Sequence, residues 1–134
     1  MSTKELANFR MDLTNFREKI MPGQHKKFVQ TIALKVLQGV IEKTPVDTGL
    51  CRGNWQVTGS VPAAGTIENT DKSGGSTIAQ GQRVITTVNP MKEVIWVSNN
   101  LPYTGALEDG HSKQAPAGMV LLTLEEIKAK AALA

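Results

Sequence analysis

Residues 99–120, NNLPYTGALEDGHSKQAPAGMV, constrain the fold of this chain more than any other stretch. Pro102, Gly105, Gly110, Pro116 and Gly118 break both helical and strand periodicity within twenty residues. Proline fixes φ and glycine admits positive φ, so this density specifies a shaped loop and not a regular element. The same segment carries the lone tyrosine, Tyr103, together with Leu107, Glu108, Asp109, His111 and Lys113. A second segment, TPVDTGLCRGNW at 44–55, has the same character: Pro45 and Gly49 punctuate it, and Asp47 and Arg52 supply charge. The remaining elements must be arranged around these two turns.

On either side the periodicity is regular. Leu6, Phe9, Leu13, Phe16 and Ile20 recur at alternating three- and four-residue steps, which predicts an amphipathic helix over 3–20 that Pro22-Gly23 ends. A second helix is expected over 24–43, with Phe28, Ile32, Val36 and Val40 on one line and Leu34, Leu37 and Ile41 widening the face. Its Gly39 costs about 1 kcal/mol of helix propensity, which a close approach by another element would explain. Pro45 stops that helix, Asp47 and Gly49 suit a turn, and 52–60 reads as a strand with Trp55 and Val57 on one face.

Residues 62–76 have almost no large apolar side chain to offset the entropy of ordering, so a mobile loop with fast amide exchange is expected. Residues 76–89 fit a helix (Ile78, Gly81, Ile85, Val88) and also alternate as a strand would; the helix is the preferred reading. EVIWVS at 93–98 is the clearest strand, and 120–132 reads as a short helix whose first residues could instead begin as a strand. The sum is a single α+β domain over 1–134: a small antiparallel sheet packed against N-terminal and C-terminal helices.

Bulk properties narrow the function classes. A chain of 134 residues supports one core without staples. The single cysteine, Cys51, excludes an internal disulfide and reads as a small buried hydrophobe made in a reducing compartment. A net charge of +3 permits a nucleic-acid neighbour without requiring one, because acidic residues interleave with Lys26, Lys27, Lys35 and Lys43. No apolar run reaches the ~20 residues of a bilayer span, and the first residues are too polar for a secretory signal, so no membrane partner is expected.

Catalytic and metal readings are weak. His111, Glu108 and Ser112 lie in one loop, where side chains diverge, whereas a triad converges from separate elements. His25, Cys51 and His111 lack zinc spacing, and SGGS at 73–76 does not lead into a phosphate-binding loop, so no cofactor or metal is expected.

The two turn segments instead resemble the neck and tail-completion proteins, or minor tail components, of long-tailed bacteriophages. Members of that family share a Thr-Pro-Val-Asp-Thr-Gly element followed by Arg and Trp, as Thr44 to Gly49, Arg52 and Trp55 are here. They then share an Asn-rich turn, a Pro-Tyr step, a Leu-Glu-x-Gly step and a Ser-Lys-x-Ala-Pro-Ala-Gly run. Those match Asn99, Asn100, Pro102, Tyr103, Leu107, Glu108, Gly110, Ser112, Lys113 and Ala115 to Gly118.

The resemblance implies a non-enzymatic virion protein, made in the host cytoplasm. It would form a homo-oligomeric ring at the head-proximal end of the tail, completing the tail or joining it to the head. Its partners would be other neck and tail proteins, with DNA only passing through the ring. The alternatives are a tail terminator proper, a small enzyme centred on the 99–118 loop, or a nucleic-acid-binding module. Interface residues expected on this reading are Asp47, Arg52, Tyr103, Leu107, Glu108, His111 and Lys113. Alanine at Arg52 or Glu108 is then expected to harm assembly while the monomer stays folded, since exposed ion pairs contribute only about 0–1 kcal/mol.

Overall fold

The computed structural model describes residues 21–110 and 118–133. The helix expected over 3–20 therefore lies outside the described residues. In chain order the elements are helix α1 (Met21–Lys43), a single turn α2 (Leu50–Gly53), strand β1 (Gln56–Gly59), helix α3 (Gly75–Thr87), strand β2 (Ile95–Ser98), a short helix α4 (Thr104–Glu108) and helix α5 (Val120–Leu133). The two strands pair antiparallel, with Gln56 opposite Ser98 and Gly59 opposite Ile95. Helices α1 and α3 pack on this small sheet and on each other, and α5 packs on α1. The α+β class read from the sequence is the class of the fold. Among the described residues no helix is long and apolar enough to cross a membrane.

The long helix α1 organises the core. Leu37, Val40 and Ile41 are buried against Trp55 and Val57 of the β1 segment, Ile85 of α3, and Met119 just before α5. Burying a large aliphatic or aromatic side chain contributes roughly 1.5–3 kcal/mol, so this cluster is the main stabilising element. Polar groups enter it only when paired. The Trp55 indole N–H donates to the Thr44 hydroxyl at 2.8 Å, and that hydroxyl donates to the Val40 carbonyl at 2.5 Å. Gln30 donates to the Ile85 and Val88 carbonyls, tying the C-terminal end of α3 to α1. A Cβ on Gly39 would collide with the Thr123 side chain, so the glycine admits the close approach of α5.

Four expectations are corrected. Pro22 and Gly23 are helical, within α1, where the sequence predicts a break between two helices; what precedes Met21 lies outside the described residues. Phe28 does not share the core face with Val40: it is 66% exposed, and Ile32 and Val36 are half-buried. The expected strand over 52–60 begins only at Gln56, because residues 50–53 close a helical turn in which Gly53 N–H bonds to Gly49 and the Asn54 amide donates to the Leu50 carbonyl. Within 99–118, expected to be a loop without a regular element, Thr104–Glu108 forms a short helix.

The segment 62–76 lacks apolar anchors but has polar ones. Asn54 and Ile67 form a reciprocal pair, side-chain amide to backbone, with both bonds at 2.9 Å. Asn69 donates to Gly53, Asn100 donates to Ala63 and Gly65, and the Asp71 N–H bonds to the Gly49 carbonyl. Amide side chains thus bond to this loop where hydrophobic contacts are scarce.

Candidate functional site

The two turn segments singled out in the sequence meet in space. Pro45, Val46, Asp47, Thr48, Gly49, Leu50 and Cys51 form one wall of an open recess of about 270 Å³, and Tyr103 and Leu107 form the other. Each wall is set by local chemistry. Thr44 is held by Val40 and Trp55 as described, which anchors the start of the turn. The Thr48 hydroxyl accepts the Leu50 N–H, and Gly49 takes φ +88°, a left-handed conformation that a side chain would strain. Opposite, Asn99 donates to the Cys51 carbonyl at 2.9 Å and accepts from the Leu101 N–H and the Thr104 hydroxyl. One asparagine thus fixes α4 against the 44–51 turn.

Asp47 and Tyr103 stand exposed at the rim, Tyr103 at 46%. Burial first, then the neighbouring Cys51 and Asp47, push the Tyr103 phenol above its ordinary value. It is therefore a neutral hydroxyl near pH 7, able to donate and accept. Leu107 is half-buried and adds apolar surface. The recess can receive a side chain with an apolar body and a polar tip from another molecule. Cys51 is buried beneath it, and that burial raises its thiol above the ordinary value despite hydrogen bonds with Thr104 and Asn99. It is no ready nucleophile.

Arg52 and Glu108 have internal partners instead. The Arg52 guanidinium donates to three backbone carbonyls: Thr44 at 3.0 Å, Glu42 at 2.9 Å and Lys72 at 2.7 Å. It thereby satisfies carbonyls at the C-terminal end of α1 and ties them to the 62–76 loop. No ion pair joins it to Asp47 among the described residues. We expect Arg52→Ala to lower unfolding free energy by about 1–2 kcal/mol, the scale of losing partly exposed charge-assisted bonds. Denaturant titration of the purified variant checks this, and an unchanged midpoint would refute the bracing role.

The Glu108 carboxylate accepts the backbone N–H groups of Met119, Val120 and Leu121 at 2.8–3.0 Å, at the start of α5. Burial raises its pKa, but these three donors outweigh burial and hold it below the ordinary carboxyl range. The same balance applies to Asp71. Its carboxylate accepts from Gly74 and Thr77 N–H and from the Thr77 and Ser73 hydroxyls, and its pKa is lowered against the opposing effect of burial.

Of the expected interface residues, then, Asp47, Tyr103 and Leu107 line one recess, while Arg52 and Glu108 brace its surroundings from within. His111 and Lys113 lie outside the described residues. Sequence reasoning missed Asp71, Asn54, Asn69 and the structural work of Asn99 and Asn100. For Asn54, beside Gly53, and for Asn99 and Asn100, just after β2, the available signal was that placement, where asparagine bonds to local backbone; Asn69 and Asp71 carry no such signal. Among the described residues no group of three or more His, Cys, Asp or Glu side chains is placed to hold a metal ion. Comparison of the chain with family models, curated proteins and solved structures gives no match.

Proposed function

We propose that this chain is a structural virion protein of a long-tailed bacteriophage. It assembles as a ring at the head-proximal end of the tail and there completes the tail or joins it to the head. The observation that carries this reading is the meeting of the two family-like segments. TPVDTG at 44–49 and PYTGALE at 102–108 lie far apart in sequence yet build opposite walls of one recess. Residues that converge on an exposed, internally braced surface suit docking, because little conformational entropy is lost when the surface is already ordered. Asp47, Tyr103 and Leu107, with His111 and Lys113 further along the chain, form the contact to a neighbouring copy or ring. Copies related by repeated heterologous contacts then close on themselves.

The test pairs stability with assembly. Asp47→Lys reverses an exposed charge at the rim and should leave thermal unfolding within about 0.5 kcal/mol of the parent, as surface substitutions do. In a phage lacking its own copy of the gene, the variant should give at least tenfold fewer tailed, infectious particles. Particles at parental yield, or absence of the protein from the neck by electron microscopy, would overturn the proposal.

A further inference from the structure

Helix α1 carries a second apolar face. Its Leu37, Val40 and Ile41 serve the core, while Ile32 and Val36, the latter also packed against the core cluster, line an open groove of about 490 Å³ against the β2 segment. Pro90, Val94 and Val97 are among its other lining residues. Val94 is 60% exposed, and Phe28, one turn before Ile32 on α1, is 66% exposed. Among the described residues nothing covers this groove. A contiguous apolar surface of this kind on a water-exposed domain marks an interaction site.

The chain itself contains a matching partner. Leu6, Phe9, Leu13, Phe16 and Ile20 form a single stripe at helical spacing. A helix over those residues would run about 20 Å at 1.5 Å per residue, longer than the stretch of α1 from Phe28 to Val36. An amphipathic helix laid in a hydrophobic groove uses this spacing of anchors. We propose that the groove receives the apolar stripe of residues 3–20 from a second copy of the chain.

The choice of a second copy follows from the helical state of residues 21–23. An antiparallel helix pair on one chain needs a connection of about 2–5 residues. Helix α1 already includes Met21, Pro22 and Gly23, so no connecting residue remains after Ile20. A return on the same chain would have to unwind the end of the stripe and forfeit Ile20 or Phe16. A second copy meets no such restriction. One segment and one groove on every copy make a head-to-tail contact, the kind that propagates and can close a ring. This inference rests on the ring reading above and assigns it a second contact.

Cross-linking between single-cysteine variants tests it. In full-length protein with Cys51→Ala, Leu13→Cys and Val94→Cys are made as separate variants and mixed at the highest soluble concentration with a short bismaleimide. The expected result is a covalent heterodimer that peptide mapping shows to be joined through position 13 of one variant and position 94 of the other. Adding Phe9→Asp to the Leu13→Cys variant should weaken the apparent association about tenfold or more, the scale of losing one buried large side chain. Each variant is first shown to unfold as the Cys51→Ala parent does. If the mixture gives no heterodimer, the proposal is overturned. It is equally overturned if a chain carrying both substitutions closes only on itself, which would place the chain's own stripe in the groove. Particles that still show a ring at the neck would then leave the assembly reading standing without this contact. A mapped heterodimer from a protein absent from the neck would do the reverse.

Discussion

Replacing Glu108 with alanine lowers the unfolding free energy by about 2 kcal/mol, because three backbone N–H groups at the start of α5 lose their acceptor at once. Water can reach some of these donors, since Glu108 is only half-buried and Val120 and Leu121 are exposed, and this keeps the loss well below three full hydrogen bonds. Glu108→Gln retains an oxygen acceptor but loses the negative charge that favours a helix N-terminus, so it should fall between the parent and alanine. Denaturant titrations of the three proteins check the order. A Glu108→Ala midpoint equal to the parent would remove the residue from any bracing role and return it to the interface.

The same carboxylate makes the stability depend on pH in a defined direction. The folded-state pKa of Glu108 lies below its ordinary value of 4.5. Its stabilisation is therefore complete above pH 4.5 and is lost as pH falls through the folded-state value, where the carboxyl takes up a proton. Asp71, also lowered from its ordinary 3.8, adds a loss of the same sign that sets in only below that ordinary value. Glu108→Ala should flatten the first part of this acid-side decline and leave the part due to Asp71.

Glu108 also shows how far the sequence was legible. Its place in a Leu-Glu-x-Gly step of a shaped loop makes it a candidate, and its chemistry alone reads as a contact between copies. Nothing in the linear order of 108 and 119 announces that the chain doubles back so that one carboxylate meets three N–H groups. Arg52 follows the same logic, for its three acceptors come from residues 42, 44 and 72. Charged residues in turn segments read as free because sequence shows their chemistry and hides their partners.

Regular elements were easier. Helix α3 was placed to within two residues by Ile78, Gly81 and Ile85, and β2 by its β-branched run. Those signals are periodic, and burial enforces period. Helix α1 was recognised too, yet its apolar positions were assigned to one face. Periodicity states that a residue is apolar on a helix and does not say what lies opposite. Phe28 thus reads as core although it is exposed, and Val36 packs against the core while also lining an open groove. The 62–76 loop shows a related limit of the hydrophobic pattern. That pattern is silent about polar anchors such as the amide hydrogen bonds of Asn54, Asn69 and Asn100.

The turn at 44–49 allows a sharper test, because two glycines share a backbone conformation and differ in surroundings. Gly49 has φ +88° and Gly65 has φ +79°, so alanine at either pays the left-handed strain of about 1–2 kcal/mol. At Gly65 a new Cβ meets nothing within 4 Å. At Gly49 it runs into the backbone of Asp71 and Lys72, atoms that cannot rotate aside as a side chain tip can. That backbone is itself fixed, for the Asp71 N–H bonds to the Gly49 carbonyl at 2.9 Å and the Lys72 carbonyl accepts from Arg52. Overpacking adds about 1–3 kcal/mol to the strain, so Gly49→Ala should cost roughly 2–5 kcal/mol in total. Gly65→Ala should cost only the conformational part. The Gly49 variant should also loosen the 62–76 loop, seen as faster amide exchange at Asp71, while exchange at Ile85 in the core tracks only the fall in global stability. Equal destabilisation by the two substitutions would show that left-handed strain alone makes glycine necessary in the turn. A larger loss at Gly49, with the local exchange effect, identifies the contact with residues 71–72 as what holds the recess wall in place.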